Sequence, residues 1–282
     1  MSSRWFSICL LLPLLSVAVG NFAAAAHGIN WQVFFPNYTG AILGAIFACM
    51  ISAFGRPKKP WVTLFVASLC IAALAMTLLF DGQENVHRWL SLGPVNVNAG
   101  MIVLPVLLYC LDRMSHLRFF LSSGFALSGL LFLFLQPDLG QAICFGVGAG
   151  CLLLRYRSGS TIQRVLTGAC LLVLVVSTGL QKDSLPSVTH VEGILSLIFD
   201  LGLFASLLGA ISFCLALAPF AFGSASNSSF SWELRHTYLL YFIAQLLVTT
   251  IGNFPVPLFG AGASSVLGWY LAIGLAESTR DC

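Results

Sequence analysis

The residues with chemical content in this chain are few, and most fall in three stretches: Asp81 to Asn98 (DGQENVHRWLSLGPVNVN), Gln136 to Gly140 (QPDLG) and Gly252 to Ser265 (GNFPVPLFGAGASS). In the first, Arg88 offers a planar guanidinium, the group best shaped for a phosphate ester. The Arg88-Trp89 pair also suits a plain membrane anchor, with Trp89 at headgroup level and Arg88 snorkelling toward phosphate. In the second, Asp138 follows Gln136-Pro137 in a turn, where a carboxylate caps the next helix and meets its positive dipole end. In the third, prolines make a rigid approach, and glycines with Ser264 and Ser265 open the last apolar segment. Such an entry leaves backbone N–H groups to face an anion, or caps a helix and allows close packing. A fourth stretch, Gln181 to Glu192 (QKDSLPSVTHVE), carries His190 and Glu192. Both are candidate proton acceptors, and both also fit a solvated loop beside a helix start.

The elements that must position these residues are about ten apolar segments, roughly 5–25, 39–54, 61–80, 98–111, 117–135, 139–154, 164–180, 193–221, 236–252 and 262–276. A membrane span needs about 20 residues. Most segments qualify, while 98–111 and 262–276 are short, each either a buried span extended by its flanks or a re-entrant piece; the charge sorting favours the span. With Arg4 inside, eleven of the 13 Lys and Arg fall in alternate loops and only Arg88 and Lys182 lie outside. That asymmetry follows the positive-inside rule and predicts a single all-α, polytopic membrane domain over 1–282, with both termini cytoplasmic. Cys282 and the Ser224 to Ser231 loop are then cytoplasmic, and Asn85, Ser184 and Asn253 outside. All the stretches with chemistry share that outer face. Asp200 is the one carboxylate expected inside a span, where charge is costly and needs a partner; Arg88 is the natural one.

Composition agrees: 58% hydrophobic and 8% charged residues exclude an ordinary soluble domain, whose charged share is about 25%. The formal charge of +3 reflects cationic inner loops facing anionic lipid and gives no sign of nucleic acid. The nine cysteines lie in or beside spans or on the tail, with no CxxC, and read as small apolar fillers. No His/Cys spacing of a metal site is present. Arg4, the apolar run and Ala24-Ala25-Ala26 also outline a cleavable secretory signal, but the stretch is long for a signal core and an uncleaved first span is expected.

These three stretches, in this order on one face of a ten-span chain, resemble the SEDS family (shape, elongation, division and sporulation) of RodA, FtsW and SpoVE. His87 to Gly93 looks like the family's R-W-[IL]-x-L-G segment, Gln136 to Gly140 reproduces Q-P-D-L-G, and Pro257 to Ser265 looks like P-[LF]-[IV]-S-Y-G-G-S-S. The resemblance covers the whole chain. It implies a protein of the bacterial plasma membrane that acts in peptidoglycan biogenesis, in cell shape or division, by polymerising lipid II at the outer face. It also implies a class B penicillin-binding transpeptidase as partner, and a divalent cation as a candidate cofactor. Arg88, Trp89, Gln136, Asp138, Ser264 and Ser265 are then the substrate-binding set.

Two departures matter. The family's Q-P-S-E-x-x-K motif is replaced by Asn98 to Leu104 without the carboxylate or the lysine, and the family's presumed catalytic aspartate, counted back from Gly202, falls on Val191. Glu192 beside it and His190 before it are the candidate bases, and Asp200 occupies the second Glu of the family's E-E-[LF]-G motif. Two readings stay open: a lipid II glycosyltransferase, and a non-catalytic scaffold or regulator that binds lipid II or a cell-wall synthase, with a lipid II carrier as a weaker third.

Overall fold

The computed structural model describes residues 3–54, 59–84, 86–93, 95–115, 118–155, 159–181, 185–222 and 229–278. Asn85, Ser184, Cys282 and most of the Ser224 to Ser231 loop, to which sides of the membrane were assigned above, lie outside the described residues.

The described residues form eleven α-helices and one β-hairpin. The helices are α1 (Ser3–Ala26), α2 (Phe35–Phe54), α3 (Pro60–Thr77), α4 (Ala99–Ser115), α5 (Phe119–Leu135), α6 (Leu139–Arg155), α7 (Thr161–Gly179), α8 (Ile194–Asp200), α9 (Leu203–Ala221), α10 (Ser229–Val248) and α11 (Ala263–Ser278). Every apolar segment of the sequence lands on a helix. The one difference is at 193–221, expected as a single span, where the chain breaks at Leu201-Gly202. Gly202 sits at φ 95, a conformation that suits glycine and ends a helix, so a short α8 is set apart from α9.

Five helices (α1, α2 with the preceding 3₁₀ turn, α3, α7 and α9) are long and apolar enough to cross a membrane. Large apolar side chains such as Leu11, Phe22, Phe65, Leu172 and Phe204 are exposed around the bundle, which suits a lipid solvent. The chain is an all-α polytopic membrane protein. Its two shortest apolar segments are continuous helices, α4 and α11, and both are buried along most of their length.

Close approach of helices explains this centre. Gly40, Gly44 and Ala48 make a small-residue stripe on α2; a side chain at Gly40 would press on Ala263 of α11, one at Gly44 would collide with Tyr270, and one at Gly274 would collide with Ala48. In lipid, where no hydrophobic drive joins helices, such stripes let backbones touch and gain dispersion energy. On α4, Pro105 has no N–H to give the Met101 carbonyl. The α11 backbone closes on that carbonyl at Gly268, where a Cβ would overlap the oxygen. Tyr238 of α10 donates to the Pro105 carbonyl at 2.9 Å, tying α10 to the same helix.

At the end of the bundle away from the sequence motifs, Arg235 donates to the Pro219 carbonyl at 2.7 Å and lies 3.4 Å from the Glu277 carboxylate. This buried pair joins the ends of α9, α10 and α11.

Candidate functional site

The sequence motifs meet at the opposite end. Trp89–Leu92 (β1) and Val95–Asn98 (β2) pair antiparallel, Trp89 opposite Asn98 and Leu92 opposite Val95. Gly93 starts the connecting turn at φ 65, the left-handed position that a two-residue hairpin asks of its first central residue. The hairpin feeds directly into α4, whose first turn Asn98 caps by accepting from the Met101 N–H at 3.1 Å. The Asn98 N–H in turn donates to the Ser264 hydroxyl at 3.0 Å, so the Arg-Trp segment is hydrogen-bonded to the start of α11.

Arg88, just before β1, reaches across to the turn between α5 and α6. Its Nε lies 3.4 Å from Asp138 Oδ2 and one terminal nitrogen donates to the Pro137 carbonyl at 3.0 Å. The guanidinium also lies over the Phe254 ring, 5.5 Å from its centroid. Asp138 Oδ1 accepts from the Gln141 N–H at 3.1 Å, so it caps α6 as its position implied. Gln136 gives both amide hydrogens to α3, one to the Leu74 carbonyl and one to Thr77 Oγ1, each at 2.8 Å.

Two expectations are corrected here. Arg88 and Asp138 are not groups at an exposed membrane surface: both are buried, 3% exposed each, and bound to one another. The partner expected for Asp200 was Arg88, yet Arg88 turns to Asp138, and Asp200 is exposed at the last turn of α8. The break at Gly202 is the physical reason, because it stops α8 from continuing as a buried span.

Of the two uses open to the glycine-rich entry, an anion cradle or close packing, its glycine amides serve the second. Gly260 N–H donates to the Val256 carbonyl at 3.0 Å, Ala261 N–H to the His190 carbonyl at 2.9 Å, and Gly262 N–H to Asn37 Oδ1 at 2.7 Å. Asn37 completes the clamp by donating to the Gly260 carbonyl at 2.8 Å. These amides are spent inside the fold. Leu258, at φ 66, holds a left-handed conformation that costs an ordinary residue about 1–2 kcal/mol, and it persists because neighbours on every side fix this buried strap.

The strap carries the loop with the candidate bases. Besides the bond to His190, the Val256 N–H donates to the Val191 carbonyl at 3.3 Å, and Asn253 donates to the Leu185 carbonyl at 3.0 Å. A Cβ at Gly260 would stand 2.6 Å from the Val191 carbonyl oxygen, so only glycine permits this docking. Glu192 is half-buried, and Oε2 accepts from the Val188 N–H at 2.7 Å. Burial raises its carboxyl above the usual range of 4.5, while the Val188 hydrogen bond and the charges of Arg88 and His190 oppose the rise. The Glu192 carboxyl thus lies within electrostatic reach of both Arg88 and His190. Ser264 and Ser265 are buried at the mouth of α11, and Trp89 is partly buried in β1.

Sequence reasoning missed the supporting residues. Phe254 wedges between Gly140, Gly252 and the Arg88 guanidinium; Asn37 clamps the strap; Tyr241 donates to Gln141 at 3.0 Å and receives from Gln245 at 2.9 Å beneath Asp138. The glycines flanking Phe254 were the only sequence trace. Among the described residues, no three His, Cys, Asp or Glu side chains gather as metal ligands. Asp138 is engaged by Arg88, and Glu192 by its own turn. This donor set does not fit a divalent cation held by the protein alone.

No protein-family model matches the sequence, and no curated protein matches it. Solved structures do match in shape. Rod shape determining protein RodA of Thermus thermophilus superposes with a TM-score of 0.74 over 97% of this chain and 97% of its own, at 18% identity. A structure describing how a peptidoglycan synthase complex coordinates polymerization and crosslinking superposes at 0.66, over 97% of this chain and 98% of the other, again at 18% identity. The chain accordingly has the fold of RodA, carried by a largely different sequence.

Proposed function

We propose that this chain is a divergent SEDS protein that handles lipid-linked peptidoglycan precursors at the outer face of the bacterial plasma membrane, and that it joins them by glycosyl transfer. One observation carries the reading: the His190–Glu192 loop is bonded through its backbone to the strap that opens α11, within electrostatic reach of Arg88. The RodA-type fold supports it.

In this reaction the acceptor sugar hydroxyl attacks the anomeric carbon of a second lipid-linked sugar. The new C–O bond forms as the bond from that carbon to the pyrophosphate oxygen breaks, and undecaprenyl pyrophosphate departs. Glu192 takes the hydroxyl proton. Its raised carboxyl suits this role, since a general base works best with a pKa moved toward the operating pH. Ser264, Ser265 and the first turn of α11 face the departing pyrophosphate, where a helix N-terminus favours negative charge. Trp89 supplies an apolar shelf. Arg88, Asp138 and Gln136 hold the walls of this site in place, with the Arg88 charge adding to its positive field.

A second reading, a non-catalytic scaffold that binds lipid II, is favoured by one fact: the position of the family's presumed aspartate is Val191. Either form would pair with a class B penicillin-binding transpeptidase. Polymerisation of purified lipid II by the purified chain, with and without such a partner, separates the two. Glu192→Gln is expected to lower strand synthesis by at least about 10²-fold with lipid II binding kept, and Val191→Asp to restore or raise it. Wild-type protein and Val191→Asp that both bind lipid II and make no strands would exclude the enzyme and leave the scaffold.

A further inference from the structure

Behind the Arg88–Asp138 pair runs a hydrogen-bond ladder that the reaction described above leaves unused. Gln245 of α10 donates from Nε2 to the Tyr241 hydroxyl at 2.9 Å, and Tyr241 donates to Gln141 Oε1 of α6 at 3.0 Å. All three side chains are buried, Gln141 at 5% exposure and Gln245 at 3%. The ladder runs one way. A phenol has a single hydrogen, and because Tyr241 receives from Gln245 it gives to the Gln141 oxygen. The Gln141 carboxamide is thereby turned with its Nε2 hydrogens away from the ladder. They reach none of the described residues, yet Nε2 is not sealed. Gln245 Oε1, at the other end, is sealed without a partner among the described residues. Orphans of this kind are rare in a core and call for a reason, and a tie between α6 and α10 has no need of one.

The amide lies where three helices begin. Gln141 is in the first turn of α6 and gives its N–H to the cap, Asp138. Its side chain packs on the first turn of α4, since a Cβ at Gly100 would stand 3.3 Å from Gln141 Cγ and 3.4 Å from Asn98 Oδ1. Asn98 in turn gives its N–H to Ser264 in the first turn of α11. The starts of α4, α6 and α11, at Ala99, Leu139 and Ala263, each carry a partial positive charge. The acceptors of this corner already hold donors: Asp138 Oδ1 the Gln141 N–H, Asp138 Oδ2 the Arg88 guanidinium, and Asn98 Oδ1 the Met101 N–H. Its donors are in surplus. Besides Gln141 Nε2, the Ser264 hydroxyl, 8% exposed, accepts from Asn98 and gives its own hydrogen to none of the described residues. Two buried neutral donors beside three positive helix ends call for an acceptor, and a negative one is held best.

We propose that Gln141 and Ser264 form an oxyanion subsite in which Gln141 Nε2 donates to a phosphate oxygen of the ligand, while Tyr241 and Gln245 act as positioning residues that keep the amide turned donor-outward. The inference rests on the function proposed above and brings Gln141 into its binding set. Because the ladder fixes the carboxamide in advance, the ligand oxygen meets a donor that needs no reorientation. Two sources carry this chemistry, the pyrophosphate of a lipid-linked sugar and the phosphodiester of a membrane phospholipid, and the test separates them.

The test uses the full chain in maltoside micelles, which carry no phosphate, and fluorescent lipid II as probe, with inorganic pyrophosphate and phosphatidylglycerol as competitors. Gln141→Met keeps the volume and loses the donor, whereas Tyr241→Phe breaks the same ladder bond and keeps the donor. Both should lower the melting temperature by similar amounts. Binding should split them: Gln141→Met is expected to weaken lipid II binding and competition by pyrophosphate at least about tenfold, and Tyr241→Phe clearly less. Ser264→Ala, which touches no rung of the ladder, should weaken both by a similar factor to Gln141→Met, so the subsite stays testable where Gln141→Met does not fold. Lipid II bound by Gln141→Met as by wild type would overturn the subsite and leave the proposed function standing. Equal losses in Gln141→Met and Tyr241→Phe would also overturn it, by reducing the ladder to a structural tie. Gln141-dependent competition by phosphatidylglycerol, and none by pyrophosphate, would keep the subsite and overturn the function. Wild-type chain that binds none of the three would overturn both.

Discussion

Arg88 Nε and Asp138 Oδ2 lie 3.4 Å apart with both side chains sealed from solvent, so the two most chemical-looking motifs of the chain are bound to each other before any ligand arrives. A buried pair is costly to form and costlier to break, because removal of one partner strands the other charge. Arg88→Ala or Asp138→Ala should therefore each lower stability by about 3–5 kcal/mol. Replacing both with Met and Leu should cost much less than the sum. Thermal melting of the four proteins in detergent, without ligand, measures this directly. Two single variants that melt like wild type would mean that the pair contributes nothing.

The strap depends on one missing side chain. At Gly260 a methyl group would press on the Val191 and Val256 carbonyl oxygens at 2.6 and 3.0 Å, and backbone cannot yield as a side chain can. Gly260→Ala should leave the helix bundle folded but release the 185–193 loop. Hydrogen exchange of that loop should speed by at least about tenfold, while exchange in α4 and α11 stays slow.

Asn37 makes two hydrogen bonds to the same strap, to the Gly260 carbonyl and from the Gly262 N–H. Asn37→Ala strands both groups and should cost about 1–3 kcal/mol. Asn37→Asp keeps the acceptor and loses the donor, so its melting temperature should fall between those of Asn37→Ala and wild type. An Asp variant less stable than Ala would mean that a charge there is worse than a gap.

Glu192 supplies a pH signature. Burial raises its carboxyl above 4.5, so the folded chain holds that proton more tightly than the unfolded chain does. Stability from this group is fully present below 4.5 and declines as pH rises through the higher folded value. Activity moves the other way, because a base must be deprotonated. The acid limb of strand synthesis should thus turn above pH 4.5, and Glu192→Gln should remove that limb from any residual rate.

Orientation is open to labelling. Asn253 and Trp232 are both exposed and sit at opposite ends of α10. In a cysteine-free background, an impermeant thiol reagent should mark Asn253→Cys in intact cells and reach Trp232→Cys only after lysis. The reverse pattern would invert the topology.

The helices were legible because apolar length and loop charge are local properties, and membrane spans write both plainly. Hidden features were those made by partners far apart in sequence. Nothing near Arg88 names Asp138 as its partner, and nothing near Val191 announces the Val256 N–H. The β1–β2 hairpin has a sign in the sequence, since Val95-Asn96-Val97-Asn98 alternates with a period of two just after Gly93, but the Arg88-Trp89 pair beside it equally suits a membrane anchor. The break in 193–221 had a sign too, since Asp200-Leu201-Gly202 places a charge and a glycine in an otherwise apolar run.

The shortness of α11 has a consequence for reach. Sixteen residues rise only about 24 Å, some 6 Å less than the hydrocarbon thickness of about 30 Å. The irregular strap above it, with Val256, Leu258 and Phe259 buried, makes up the difference inside the bundle, where non-helical backbone is tolerated because protein surrounds it. If the chain acts as proposed, the mouth of α11 is thereby set inside the bundle and not at its tip. A lipid-borne sugar would then reach it sideways from the bilayer, with less need to be lifted into water.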